Sequence, residues 1–212
     1  MTMRNHHVTA MLAAATFLLL SALPAQQVGG GPDPDRRAST LFVSVDDGTL
    51  STGIAIGYSE AKWRAEYEGM LGTLRCKYAR LGKNWWTTFD TVTALEIGGV
   101  RVAAGSYYLG IAVDDDGSFH LLLFASDKAM KAGLLPWTTA LYRGDVTADL
   151  RLPMSLGKDA LQVAAAELAI AITVDAKDQT RGKLAIRWGR HELSTPVNLR
   201  PAPGKADSGD DK

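Results

Sequence analysis

The strongest constraint on this chain is the alternation of apolar residues with small or polar ones from Trp85 to Phe124, WWTTFDTVTALEIGGVRVAAGSYYLGIAVDDDGSFHLLLF. Apolar residues at every second position are typical of strands with one buried face. Gly98-Gly99 and the acidic segment 114–117 interrupt the rows with residues that favour tight turns. The stretch therefore predicts a succession of antiparallel hairpins.

The same period of two recurs along most of the chain. We predict further strands around Ile54–Tyr58, Leu74–Tyr78, Phe89–Ile97, Val146–Leu152, Leu168–Val174 and Leu184–Trp188. In the row Phe119 to Phe124, Leu122 and Phe124 add apolar residues on the second face, which predicts a central strand. Ser126–Leu135 is the best helix candidate, with Ser126 or Asp127 as its N-cap and Pro136 as its stop.

These elements indicate an all-β, mainly antiparallel fold. Short strands separated by turns, with at most one or two short helices, predict a two-layer β-sandwich or a jelly-roll-like, partly closed barrel. No segment resembles a βαβ unit. The doubly wound folds that hold many nucleotide cofactors are therefore not expected, and we predict no cofactor.

The beginning of the chain reads as a secretion signal. Arg4 precedes the apolar run Met11–Leu20, which is shorter than the ~20 residues a membrane span needs. We predict a signal peptide over 1–25 with cleavage near Ala25, an uncleaved anchor being the alternative. A flexible leader over 26–39, one β-sandwich domain over 40–200 and a disordered tail over 201–212 would follow. The predicted location is periplasmic or extracellular, with no membrane span after cleavage.

The charge balance argues against polyanionic partners. Lys and Arg total 23, as do Asp and Glu, and removing residues 1–25 takes away only Arg4, which leaves 22 against 23. A net charge near −1 does not attract nucleic acid or anionic lipid. The single cysteine, Cys76, cannot form an internal disulfide and alternates with Leu74 and Tyr78. It reads as a small buried hydrophobe, a reactive or intermolecular thiol being the alternative.

Four segments resemble a known bacterial family, domain-of-unknown-function family 2911. They are GIAIGYS, LGKNWW, IGGVRVAAGSYYL and KLAIRWGRHELSTPV, and they lie between Gly53 and Asn198. The most specific part is Ile97–Leu109, where a Gly-Gly turn is followed by Ala104, Gly105 and Tyr107 in the family's order. The resemblance implies a β-rich exported protein without an established activity.

The chain departs from the family at its most polar signature. Where the family has Trp-Arg followed by Gly-Ala-Asn, this chain keeps Trp85 and has Trp86 in place of the arginine. Thr88, Phe89 and Asp90 occupy the Gly-Ala-Asn positions. No role is carried over from the family at these positions.

Signatures of catalysis and metal binding are weak. Outside the predicted signal peptide the histidines are His120 and His191, and neither has a partner at metal-ligand spacing. The sequence lacks a G-x-S-x-G motif. The acidic run Asp114–Gly117 fails the calcium-loop pattern and reads as a hairpin turn. We predict no catalytic and no metal-binding residues, and a hydrolase is the least favoured function.

Aromatic residues carry the remaining functional signal. Trp85 and Trp86 are adjacent, so a strand would direct their indoles to opposite faces, one buried and one exposed. An exposed indole near Asn84 and Asp90 could stack on a sugar ring, although aromatics that fill the core are the alternative. We predict a non-catalytic domain that binds a carbohydrate or an envelope component through Trp85, Trp86 and Asp90. The alternative is a structural or protein-interaction domain of the envelope, and the oligomeric state stays open.

Overall fold

The computed structural model describes residues 33–44, 51–68, 77–137, 146–157 and 161–199. Within them twelve strands are β1 (Arg36–Ser44), β2 (Ser51–Ser59), β3 (Lys77–Arg80), β4 (Thr87–Thr91), β5 (Leu95–Ile97), β6 (Val100–Val102), β7 (Gly105–Val113), β8 (Phe119–Ala125), β9 (Leu150–Leu156), β10 (Ala165–Val174), β11 (Arg181–Gly189) and β12 (His191–Asn198). One α-helix, α1 (Ser126–Lys131), and a 3-10 turn, Ala65–Tyr67, complete the described elements. The predictions for residues 1–32, Cys76 and residues 201–212 lie outside the described residues.

The strands form one antiparallel sheet that curls into a partly closed barrel, which is one of the two predicted architectures. Its main order is β1-β2-β4-β7-β8-β9-β12-β11-β10. β3 shares an edge of β7 with β4, and the hairpin β5-β6 adds to β12. The terminal strands β1 and β10 approach each other without a hydrogen-bonded ladder between them, so the barrel keeps one seam.

The interior is filled by the inward-facing apolar residues of the strands. The largest of its fully buried side chains are Phe89, Ile56, Leu95, Ile97, Leu109, Leu121, Leu123, Leu152 and Ile170. Period-two alternation produces this core because successive side chains point to opposite faces of a strand. Tyr107 seals part of it by donating a hydrogen bond from its hydroxyl to the carbonyl of Ala103 at 3.0 Å.

A second apolar cluster lies on the outer face of β7 and β8. It contains Trp86, Tyr108, Ala112, Leu122, Phe124, Ala129 and Leu134. α1 supplies Ala129 to this cluster and so covers the outer side of β8. The prediction that β8 is a central strand with two apolar faces is confirmed, because β7 and β9 flank it.

α1 is shorter than the predicted helix Ser126–Leu135, and both of its ends differ from the predicted ones. The residue at its N-cap position is Ala125, without a side-chain cap. The carboxylate of Asp149 accepts the Ala125 N–H at 2.8 Å instead. At the other end Gly133 has φ +84°, and the N–H of Leu134 reaches the carbonyl of Ala129 at 2.8 Å. This bond belongs to a glycine C-cap, which ends the helix well before Pro136.

Three other predictions of elements need correction. The row Phe89–Ile97 is two strands, because the chain leaves β4 after Thr91 and β5 pairs with β12 instead. β1 begins inside the predicted leader 26–39, since Arg36–Ser39 pair with Ser59–Ile56 of β2. β9 begins at Leu150, while Val146 and Ala148 pack beside the outer cluster before the strand begins.

Two strands, β1 and β12, were not predicted, and β12 begins at His191. In the part of the chain that the structure describes, no helix has both the length and the apolar character needed to cross a membrane.

Candidate functional site

The most exposed aromatic pair in the described residues is Trp85 with Trp137. The ring centroids lie 5.8 Å apart at an interplanar angle of 77°, an edge-to-face contact. Trp85 keeps 42% of its surface exposed and Trp137 keeps 59%. Large indoles are usually buried, or placed where one side meets a partner. We refer to these two side chains as the tryptophan pair.

Trp85 is presented by the connection between β3 and β4, residues 81–86, which we call the Trp85 loop. Gly82 adopts φ +89° and Asn84 adopts φ +60°. The N–H of Trp85 donates to the carbonyl of Lys83 at 2.7 Å, which closes a three-residue turn around Asn84. Left-handed backbone is tolerated by asparagine better than by most residues. The local sequence Gly-Lys-Asn therefore suits the turn that brings Trp85 to the surface.

A polar network fixes the Trp85 loop to the start of β1. The carboxylate of Asp33 accepts hydrogen bonds from the Ser59 hydroxyl at 2.9 Å, the Asp35 N–H at 3.0 Å and the Asn84 amide at 3.5 Å. Lys83 pairs with Asp35. The Asn84 amide and the Lys83 ammonium thus lie next to Trp85 in the chain, and the carboxylates of Asp33 and Asp35 contact these two side chains.

The charges of this network are mutually stabilised. Burial raises the pKa of Asp33, but the hydrogen bonds from Ser59, Asp35 and Asn84 outweigh it and hold the pKa below its ordinary value. The hydrogen bond and the charge of Asp35 raise the pKa of Lys83. Both groups are therefore ionised at neutral pH.

Trp86 lies in a different environment from its neighbour. Its side chain is 1% exposed and packs in the outer cluster, edge to face with Phe124 at 5.6 Å between ring centroids. Trp86 is buried and Trp85 is exposed, as predicted, but both residues precede β4 and lie in the Trp85 loop. The expectation that a strand separates the two indoles is therefore wrong, because the loop conformation does so. Trp86 consequently contributes packing and offers no surface to a ligand in this conformation.

Asp90 lies farther along β4, away from the tryptophan pair. Asp90 lies five positions after Trp85, a separation of about 16 Å in extended chain. Asp90 Oδ1 accepts a hydrogen bond from the Ser106 hydroxyl at 2.5 Å. The three predicted site residues therefore occupy three separate environments: an exposed loop, an apolar cluster and the outer face of the sheet.

The two histidines belong neither to the tryptophan pair nor to the surroundings of Asp90. His120 Nδ1 lies 3.3 Å from Asp114 Oδ2, beside Arg151. His191 Nε2 lies 3.1 Å from Glu68 Oε1, and its ring contacts Trp63. Over the described ranges no group of three His, Cys, Asp or Glu residues could hold a metal ion.

The acidic segment Asp114–Gly117 forms the predicted hairpin turn. The N–H of Gly117 donates to the Asp114 carbonyl at 2.9 Å, and Gly117 has φ +86°. Asp114 also forms an ion pair with Arg151 at 2.5 Å, so the turn is tied to β9.

Sequence reasoning missed the association of Trp137 and Asp33 with the Trp85 loop. Both lie about 50 residues from Trp85 in the chain, and no short-range pattern links them. The signal that was available is local: LGKNWW combines a glycine, an asparagine and an exposed aromatic residue in one turn.

Comparison with protein-family models, with curated proteins and with solved structures finds no match to this chain.

Proposed function

We propose that this protein is an exported, non-catalytic binding domain that recognises a carbohydrate or another hydroxyl-rich envelope component at the tryptophan pair. The observation that carries the proposal is the edge-to-face contact of two exposed indoles, Trp85 and Trp137. Sugar rings pack their C–H faces on indoles, and their hydroxyls hydrogen-bond to carboxylates and amides. Both kinds of group occur here.

The architecture of the Trp85 loop supports a binding role for it. A left-handed asparagine and a three-residue turn cost conformational energy that the surrounding structure must offset. Hydrogen bonds from Arg80 to the Asn84 carbonyl at 2.6 Å and from Lys83 N–H to the Ser59 carbonyl at 3.2 Å hold this conformation. A preformed loop loses little entropy when it binds a ligand.

We also propose that the chain is a divergent member of bacterial domain-of-unknown-function family 2911. The support for this proposal is the set of matching segments, above all Ile97–Leu109. Gly98 and Gly99, with φ +60° and +80°, form the turn between β5 and β6 that this motif implies. The family's export and the predicted signal peptide give the same periplasmic or extracellular location.

The test is a thermal-shift screen of the full chain against monosaccharides, oligosaccharides and cell-envelope fragments, followed by calorimetry on each ligand found. A ligand that binds the native state raises the melting temperature. We expect Trp85→Ala and Trp137→Ala each to weaken binding of that ligand at least about tenfold, or ~1.4 kcal/mol.

Phe42→Ala is the matched control, because Phe42 is a 74% exposed aromatic residue of β1 outside the tryptophan pair. Its substitution should leave glycan affinity unchanged. Equal losses in all three variants, or no ligand across the panel, would contradict the proposal and favour a structural or protein-interaction domain.

A further inference from the structure

A second candidate site lies on the outer face of β1, β2, β4 and β7. It is an open groove of about 370 Å³, which we call the β2 groove. Its lining residues are Leu41, Gly53, Ile54, Ala55, Asp90, Thr91, Val92, Gly105 and Ser106. Cross-strand register explains the floor, because Ala55 stands opposite Asp90, and Asp90 stands opposite Ser106.

Small residues leave this groove unfilled. Gly53 and Ala55 present almost no side chain to the outer face of β2. A Cβ at Gly53 would find only Val92 Cγ2 nearby, at 3.8 Å, which is ordinary van der Waals contact. The volume is therefore open space that larger side chains at these positions would occupy.

One exposed apolar side chain, Val92, lines the groove, and a second, Phe42, lies beside the lining residue Gly53. Phe42 stands directly opposite Gly53 in the β1-β2 ladder and is 74% exposed. Val92, which approaches Gly53 from the other side, is 71% exposed. Exposed apolar side chains that lie together around a concavity mark a binding surface more often than isolated ones do.

The charge of the groove is negative. Asp90 is the one charged residue among its described lining residues, and within the described chain Ser106 is the one side chain that donates to its carboxylate. Arg36 lies on the same face, but it donates to the Trp86 carbonyl and to the Thr88 hydroxyl. Thr88 and Asp90 are successive outward-facing residues of β4. The guanidinium is therefore held beside Thr88 and not at Asp90.

We propose that the β2 groove binds a small primary aliphatic amine, with its ammonium group on Asp90 and its alkyl chain between Phe42 and Val92. A carboxylate with free acceptor capacity matches a cationic donor. The apolar border of the groove matches a hydrocarbon stem. The volume lies within the range of small-molecule sites, about 300–1,000 Å³.

This inference does not depend on the proposed glycan site, because the two places share no residue. Asp90 and Gly53 should govern amine binding and leave glycan binding unchanged. Trp85 and Trp137 should do the reverse. If one of the two proposals fails, the variants that test the other still give a separate result.

The experiment is an NMR titration of the isotopically labelled full chain with n-hexylamine at pH 7, where the amine is cationic. Hexan-1-ol and hexanoate, which have the same alkyl length, serve as neutral and anionic probes. We expect hexylamine to shift the amide signals of Ala55, Asp90 and Ser106 in a saturable way. The alcohol should bind at least about tenfold more weakly, and the carboxylate should not bind.

Two variants test the geometry. Asp90→Asn should weaken hexylamine binding at least about tenfold while leaving the affinity for hexan-1-ol unchanged. Gly53→Leu should abolish binding of both, because its side chain would fill the groove while Asp90 stays in place. Asp127→Asn, on the exposed surface of α1, is the control for the loss of one negative charge.

Equal binding of the amine and the alcohol would overturn the assignment, as would binding of hexanoate or an undiminished Asp90→Asn affinity. The assignment would also be overturned if the tripeptide Gly-Lys-Gly bound more tightly than hexylamine. The occupant of the groove would then be a polypeptide and not a small amine. Unchanged amide spectra of the free variants establish that each one is folded.

Discussion

The backbone N–H of Trp86 donates a hydrogen bond of 2.7 Å to the carbonyl oxygen of Pro136. This bond joins the Trp85 loop to the chain that follows α1. Trp86 directly follows Trp85, and Pro136 directly precedes Trp137. The same contact therefore brings Trp85 and Trp137 together at the surface. One backbone hydrogen bond between distant segments therefore underlies the tryptophan pair.

Adjacent tryptophans should respond in opposite ways to truncation. Trp86→Ala should lower the free energy of unfolding by about 3–5 kcal/mol, because it leaves a cavity in the outer cluster. Trp85→Ala should cost less than about 1 kcal/mol, since nearly half of its surface meets solvent. Urea unfolding of both variants measures the difference. Comparable costs would show that Trp85 has a packing role.

Two glycines with positive φ offer a matched test of packing. Gly189 has φ +60° and a Cβ there would lie 2.4 Å from Trp63 Cε2, whereas Gly99 has φ +80° and nothing within 4 Å. Both Gly→Ala variants should lose about 1 kcal/mol to the left-handed backbone. Gly189→Ala should lose a further ~1–3 kcal/mol by displacing Trp63. Equal losses in chemical denaturation would argue that the Trp63 ring moves freely.

The ion pairs of Glu192 should make stability depend on pH. Hydrogen bonds from Lys183 and Arg187, at 2.9 and 2.6 Å, hold the pKa of Glu192 below its ordinary 4.5, against the opposing effect of burial. The folded protein therefore binds this proton less tightly than the unfolded chain. The stabilisation is complete above pH 4.5 and is lost as the pH falls through the lower folded pKa.

Glu192→Gln should therefore destabilise the protein by about 1 kcal/mol at pH 7, with the deficit shrinking below pH 4.5. Thermal melts of both proteins across this pH range provide the measurement. Glu66→Gln is the matched control, because Glu66 forms an exposed pair with Arg64 at 3.3 Å. A deficit that does not change with pH would rule out the ion pairs as its source.

Asp149 should protect the beginning of α1. Its carboxylate accepts the Ala125 N–H at 2.8 Å and the Lys128 ammonium at 2.7 Å. Asp149→Ala removes both acceptors, so the Ala125 amide should exchange with solvent about tenfold faster, ~1.4 kcal/mol of local stability. Asp127→Ala, which removes an exposed carboxylate of the same helix, should leave that rate unchanged. Hydrogen exchange followed by NMR distinguishes the two.

Local patterns predicted the strands whose apolar residues alternate cleanly, such as β7 and β8, because one strand face meets the core. They failed for β1, an edge strand with few buried residues, since its row RRASTLFVS has no regular alternation. They also failed for β12, where the polar Thr195 is buried and Pro196 lies within the strand. Proline within a strand usually argues against a central position, yet β12 pairs on both sides.

The sequence by itself determined the antiparallel β class and the hairpin turns at Gly98-Gly99 and Asp114–Gly117. Each of these follows from the two-residue period or from backbone preferences of single residues. Only the tertiary structure decided that the sheet closes into a barrel with a seam, that Trp137 joins Trp85, and that Asp90 lies in a groove apart from both. The reason is physical: these outcomes depend on contacts between residues far apart in the chain, whose partners no local propensity specifies.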